Sequence, residues 1–415
     1  MHIFLSGERL PKVSPTSWLR AACLLSAAVM LHAVRPAPQT VQAGEPVPRI
    51  VAIGDIHGDF DSFTALLKKL SLVDEHHRWI GGSTILVQTG DFLDRGPGER
   101  PTMDFLRDLP KQAEKAGGQV IVLLGNHEVM NLIGDFRYVS SEGFASFADA
   151  DSAKKRDRAF QQFLRHRNRQ ARRLSDAEVE SNESLKRTWL QERPEGFIER
   201  MEAFRSGEYG KWLRQLPTVV RVGDTLFLHG GVHPDLASFS PEEINRRIAE
   251  ELRLFDRYRR YLERQQVVLP FFTLSEMELA VQRELELERS RPAPALSGLT
   301  PEESAGDQHI QILEAFLSSA NWWIRHPDGP LWFRGYATWP EGDEEGTRIG
   351  RLLDAFSVRR LVVGHTPMLD QDIQQRFGGK VFLIDTGMLS SYYPGGRPSA
   401  LVIETGSVRT VALDP

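Results

Sequence analysis

Cysteine is nearly missing from this chain: Cys23 is the single one in 415 residues. Neither a disulfide framework nor a thiolate metal site can be built from it. Any metal must be held by His, Asp, Glu or Asn, a donor set that suits manganese, iron, zinc or magnesium. Positive charge is not in excess either. Lys and Arg number 51 against 56 Asp and Glu, for a formal net charge of -5. That balance gives no global basic surface of the kind nucleic acid requires. No stable membrane span is expected, because the apolar run AACLLSAAVMLHAV (21–34) is short for a spanning helix.

The same run has the surroundings of an export signal. Arg9, Lys12 and Arg20 precede it, and Val41-Gln42-Ala43 offers a small-residue cleavage site. Residues 1–43 are therefore read as a signal peptide and the protein as periplasmic or secreted. An organelle transit peptide or a retained anchor is the alternative, since Glu8 is the only acid before Glu45. Cys23 opens the apolar stretch instead of closing it, which argues against a lipoprotein anchor. The chain as a whole is 41% hydrophobic and 26% charged, an ordinary globular composition.

From Pro48 the pattern is α/β. RIVAIGD (49–55), STILVQTGD (83–91) and QVIVLLGN (119–126) are apolar runs of strand length, each closing on Gly plus a polar residue. DSFTALLKKLSLV (61–73) has the 3–4 spacing of an amphipathic helix. Buried runs alternating with helices predict a largely parallel sheet, whose ligands bind beyond the carboxyl ends of the strands. Two helical insertions interrupt it, 135–218 and 236–325, within one domain over 44–415. The first carries the basic run 154–173 and a capping box at Ser175 and Glu178; the second opens on a box at Ser240 and Glu243. The Pro- and Ser-containing joint RPAPALSG (291–298) divides it. RLVVGH (360–365), KVFLIDTG (380–387), ALVIE (400–404) and VRTVAL (408–413) predict a second, partly antiparallel sheet.

Five strand exits carry the chemistry. GDIHG supplies Asp55 and His57; GDFLDRG supplies Asp91, Asp94 and Arg95; GNHE supplies Asn126, His127 and Glu128. FLHGG adds His229 and VVGHT adds His365. Each alone reads equally well as a polar turn, but together they offer a sulfur-free ligand set. His76 and His77 sit in a turn, His233 is a structural residue beyond its glycines, and Trp322 and Trp323 are packing aromatics. The basic run reads as a charged helix face, with docking of an acidic partner as the second reading.

The set GDxHG, GDxxDRG, GNHE, HGG and GHT resembles the phosphoprotein phosphatase family of metallophosphoesterases. GNHEVMNLIGDFRYV (125–139), GEYGKWLRQLP (207–217) and GPLWFRGY (329–336) resemble its Shewanella-like protein phosphatase branch. The resemblance implies a two-sheet α/β sandwich flanked by helices, with the insertions as a helical cap. It implies two metal ions, manganese first with iron or zinc as alternatives, and a metal-bridging hydroxide that attacks a phosphate monoester. Asp55, His57 and a bridging Asp91 would hold one ion; Asp91, Asn126, His229 and His365 the other. Arg95 would bind phosphate, and His127, oriented by Asp94, would protonate the leaving group. Glu128 would support the neighbouring loop. Arg334 would be the second phosphate arginine, against a purely structural role among Trp332, Phe333 and Tyr336. The expected substrate is phosphoserine, phosphothreonine or phosphotyrosine on a protein. A nucleotide or other small phosphoester, or an inactive phosphoprotein-binding module, is the alternative.

Overall fold

Strands β1 (Ile50–Ile53), β2 (Ile85–Gln88) and β3 (Gln119–Val122) lie side by side in parallel, linked by helices α1 (Phe60–Lys69) and α2 (Glu99–Lys115). This computed structural model describes residues 48–174, 182–290, 301–368, 370, 372–405 and 407–414. The expected signal peptide (1–43), the capping box at 175–178 and the joint at 291–298 lie outside the described residues. Helix α1 starts where Asp59 accepts the Ser62 N–H at 3.1 Å, and it buries Phe63, Leu66 and Leu67 at helical spacing. Helix α3 (Asn126–Ile133) leaves β3 directly.

The first insertion folds as α4 (Ser141–Ala145), α5 (Ser152–Leu174), α6 (Asn182–Glu192), α7 (Phe197–Arg205) and α8 (Glu208–Leu213). The hairpin β4 (Val219–Val222) and β5 (Thr225–Leu228) follows. The second insertion is α9 (Pro241–Arg264), α10 (Leu274–Ser290) and α11 (Pro301–Ser318). At its start Ser240 and Glu243 exchange side-chain and backbone hydrogen bonds at 2.8 and 3.2 Å, as the capping pattern predicts. Helices α12 (Gly335–Thr338) and α13 (Asp343–Phe356) lead into β6 (Arg360–Val363), β7 (Gln374–Arg376) and β8 (Val381–Leu383), then β9 (Ser399–Glu404) and β10 (Ser407–Ala412).

Two mixed sheets result, ordered β10-β9-β1-β2-β3 and β4-β5-β6-β8-β7. ALVIE and VRTVAL, read above as part of the second sheet, belong to the first, where β9 runs antiparallel to β1. The parallel set leaves one edge of β1 open, and an alternating strand pairs there as readily as elsewhere. Nothing in its own residues records which edge it closes. Between the sheets lies a core of alternate residues from both, among them Ile50, Ala52, Val87, Phe227, Val362 and Leu401. Val51 and Ile53 face the other way into the helices, together with Phe144, Trp189, Phe204, Phe255 and Phe316 of the insertions. The insertions thus share a continuous core with the outer face of the first sheet. Among the described residues no helix is long and apolar enough to cross a membrane.

Candidate metal centre

The ends of β1, β2, β3, β5 and β6 bring their polar residues to one place. Asp55, His57, Asp91, Asp94, Asn126, His127, His229 and His365 are all at most 5% exposed. The backbone that presents them is strained. His57, Asp91, Asp94, Arg95 and His365 have φ of 48°, 55°, 66°, 71° and 71°, a region that non-glycine residues rarely occupy. The glycine ahead of two ligands has a steric reason. A Cβ at Gly364 would strike Asp55 Oδ1, and one at Gly125 would strike Asp91 Oδ1.

Each candidate ligand is held from behind. Asp55 Oδ1 accepts the His365 N–H at 3.0 Å, and Asp91 Oδ1 accepts the His127 N–H at 2.9 Å. His57 Nδ1 faces the Leu93 carbonyl at 2.8 Å, His229 Nδ1 the Thr89 carbonyl at 3.0 Å, and His365 Nε2 the Trp332 carbonyl at 3.1 Å. A ring N–H donated to a carbonyl leaves the lone pair on the opposite nitrogen, the arrangement of metal-binding imidazoles. Those opposite nitrogens converge. His229 Nε2 lies 3.2 Å from Asp91 Oδ2, 2.8 Å from Asn126 Oδ1 and 3.1 Å from His365 Nδ1. His57 Nε2 lies 3.7 Å from Asp55 Oδ2 and 3.9 Å from Asp91 Oδ2.

Two donor groups therefore close within 4.8 Å, His57–Asp91–His127 and Asp91–His229–His365, with Asp91 common to both. Charge agrees with the donor chemistry. Burial, with Asp385 and Asp91 nearby, pushes the Asp55 carboxyl well above its usual range. Burial also pushes Asp91 up, but the His229 and His127 imidazoles outweigh it and hold that carboxyl well below. Burial holds the His57 and His365 imidazoles well below theirs, so they are neutral donors. Buried carboxylates beside neutral imidazoles fit a pair of hard or borderline cations, which offset the cost of keeping the acids ionised.

His127 differs from the other three imidazoles. Its Nδ1 lies 2.6 Å from Asp94 Oδ2, a carboxylate rather than a carbonyl, which leaves Nε2 toward the centre, 3.7 Å from Asp91 Oδ2. Burial lowers its pKa, yet the Asp91 and Asp94 charges outweigh burial and raise it. Glu128 accepts the N–H groups of Asp91, Phe92, Leu93 and Gly125 at 2.8 to 3.1 Å, tying the second turn to the third. Half-buried Arg95 reaches His57 Nε2 and the Tyr393 hydroxyl, with Nη2 3.2 Å from His127 Nε2. Its guanidinium is flanked by the rings of Tyr138, Tyr392 and Tyr393 at 5.7, 4.8 and 5.3 Å.

Arg334 is exposed at the rim beside this centre, its Nη1 bonded at 3.0 Å to the His365 carbonyl and to Thr366 Oγ1. His233 accepts the Asp235 N–H and packs on Phe333 and Trp339; His76 is exposed, and His77 packs on Phe60 and Phe105. Trp322 is buried, and Trp323 lies under Arg247. The three tyrosines and Asp385 are not among the site residues expected from the sequence. Asp385 is 1% exposed, and its Oδ2 has no hydrogen-bond partner. It stands just beyond β8 as the candidate ligands stand beyond their strands, a position visible in LIDTG.

Residues 48–369 match the family model described as calcineurin-like phosphoesterase. Shewanella-like protein phosphatase 2 of Arabidopsis thaliana is 36% identical over 212 residues, 49% of this chain and 51% of that protein. The chain thus spans about half the length of that relative. Shewanella-like protein phosphatase 1 of Plasmodium berghei is 25% identical over 88% of this chain and 74% of its own. The crystal structure of a cold-active protein-tyrosine phosphatase from a psychrophilic Shewanella superposes with a TM-score of 0.53 at 22% identity, covering 89% of this chain and 81% of that one. At that identity the likeness is one of fold. With the family model spanning strands β1 to β6 and both donor groups, the chain belongs to the calcineurin-like phosphoesterases and is homologous to the Shewanella-like protein phosphatases.

Proposed function

We propose that the protein hydrolyses phosphate monoesters with two bound metal ions, and that its substrates are phosphorylated protein side chains, phosphotyrosine first. The observation that carries the reading is the pair of donor groups sharing Asp91, one of which includes His127 backed by Asp94, with Arg95 directly against them. Asp55, His57 and Asp91 would hold one ion and Asp91, Asn126, His229 and His365 the other. The sulfur-free donors suit manganese, with iron or zinc as alternatives. When bound, the ions supply Lewis acidity, which neutralises the phosphoryl charge and acidifies the attacking water.

The chain's own residues do the rest. The Arg95 fork binds two phosphoryl oxygens, a geometry a point charge cannot supply. Arg334, anchored on the His365 loop, supplies the second guanidinium. His127 gives the Nε2 proton to the departing oxygen, while Asp94 holds Nδ1 and stabilises the cationic ring. Tyr138 and Tyr392, 39% and 49% exposed beside Arg95, offer ring faces to an aryl leaving group. The test is a parallel assay of metal-free protein given Mn²⁺ on a phosphotyrosyl peptide, a phosphoseryl peptide and a dinucleotide polyphosphate. Turnover of the phosphotyrosyl peptide well above the other two is expected. Preference for the polyphosphate would replace the reading with small-molecule hydrolysis, and no turnover of any would favour a binding module.

A further inference from the structure

Behind the His127–Asp94 pair lies a buried ion network built partly from the first helical insertion. Arg200, on α7, is fully buried and walled by the rings of Phe136, Phe144, Phe147 and Phe204 at 4.8 to 5.9 Å. Its Nη2 lies 2.6 Å from Glu99 Oε2, 2.8 Å from Asn131 Oδ1 and 3.4 Å from Asp94 Oδ1. Asn131, one turn along α3 from His127, donates Nδ2 to Asp94 Oδ1 and to the His127 carbonyl, both at 2.9 Å. The Asp94 carboxylate is thus held at both oxygens. Oδ2 meets His127 Nδ1 at 2.6 Å, and Oδ1 meets Asn131 and Arg200.

A carboxylate that must stabilise an imidazolium has to be held in one orientation. At this depth water cannot hold it, and a buried polar group without fixed partners is costly. Asn131 Nδ2 and Arg200 Nη2, the latter shared with Glu99 and Asn131, hold Asp94 Oδ1 in place. Glu99 completes the neighbourhood as a second buried acid on α2, and the same guanidinium bonds to it. The residues differ in origin. Asp94 and Asn131 come from the strand-exit turns and α3, whereas Arg200 comes from a segment that the five motifs do not include.

We infer that Arg200 is a positioning residue for the leaving-group acid: through Asp94 and Asn131 it fixes His127, which makes the first helical insertion part of the catalytic centre. The inference rests on the proposed role of His127 as the acid. A residue acting only on that proton transfer affects substrates in proportion to how much their leaving oxygen needs a proton. It leaves metal and phosphate binding alone.

The experiment compares Arg200→Lys, Asn131→Ala and His127→Asn on an aryl phosphate series running from p-nitrophenyl to p-methoxyphenyl phosphate. Melting temperature, Mn²⁺ binding by calorimetry and inhibition by inorganic phosphate are measured on each. His127→Asn is expected to lose about 100- to 10,000-fold on the poorest leaving group and much less on p-nitrophenyl phosphate. Arg200→Lys keeps the buried charge but not the fork, so it should show the same trend at smaller size, roughly 10-fold in kcat on the poorest leaving group. Its Mn²⁺ affinity and phosphate inhibition should stay unchanged. Asn131→Ala removes the other Asp94 donor without altering buried charge, and carries the same expectation should Arg200→Lys fail to fold. Combining Arg200→Lys with His127→Asn should add almost nothing to the His127→Asn loss, since the two act as a unit. If His127→Asn depends on the leaving group while Arg200→Lys and Asn131→Ala lose rate uniformly, or only melt earlier, the inference is overturned. If His127→Asn itself shows no leaving-group dependence, the acid assignment fails and the inference fails with it.

Discussion

Arg95 is fixed by contacts made for a planar cation: tyrosine rings on its flanks, the Tyr393 hydroxyl at Nη1 and His127 at Nη2. A lysine keeps the charge and loses the fork. Arg95→Lys is therefore expected to lower kcat/KM by about 30-fold or more, two charge-assisted bonds being worth ~2–4 kcal/mol. Inhibition by inorganic phosphate should weaken in parallel, and its loss of proportion to kcat/KM would show that Arg95 orients something other than phosphate. Arg334 is the more demanding case, since its Nη1 is engaged with the His365 carbonyl and Thr366. If Arg334 binds phosphate, as proposed, Arg334→Ala should weaken phosphate inhibition with an unchanged melting temperature. A lower melting temperature with phosphate inhibition intact would assign it to structure.

At the scale of elements, the strand exits were legible because their signal is local: an apolar run, a glycine, then a ligand. The glycine has a measurable role. Gly364→Ala would drive a Cβ into Asp55 Oδ1, so Mn²⁺ affinity should fall ~10–100-fold, as when an outer partner of a ligand is removed, with the fold retained. Unchanged Mn²⁺ affinity in that variant would remove Asp55 from the ligand set. What was not legible depends on distant pairing. The sheet joined by β9 is decided by the open edge of β1, and the guanidinium of Arg200 reaches Asp94 only because α7 packs against α3. Tyr392 and Tyr393 stood in a turn without a motif and gain meaning only from the arginine they enclose. The insertions also carry their own pH dependence. Burial pushes Glu284 of α10 up, but His309 of α11 and Arg173 of α5 outweigh it and hold it at about 2. A carboxyl depressed on folding contributes stability above its unfolded pKa of ~4.3, and that contribution is lost as pH falls toward 2. Melting temperature should accordingly drop more steeply between pH 4.5 and 2 in the parent than in Glu284→Gln, roughly the span between those two values. Parallel curves would refute the pairing.

For the whole molecule, the continuous core beneath the insertions implies that they and the first sheet melt together, so the cap is a wall of the site more than a detachable lid. The first 43 residues are proposed to direct export and to be removed after Ala43, which intact-mass measurement on protein from its native source checks. A cytosolic product still beginning at Met1 would refute it. The central claim is the shared carboxylate, and the most direct measurement is a manganese titration of the metal-free chain, reading bound metal and monoester turnover together in the parent and in Asp91→Asn. Turnover is expected to rise as the second ion per chain binds, and Asp91→Asn to retain its fold while holding neither ion tightly and turning over little. Near-normal turnover in Asp91→Asn with two ions bound, or full activity in the parent under a strong chelator, would contradict it.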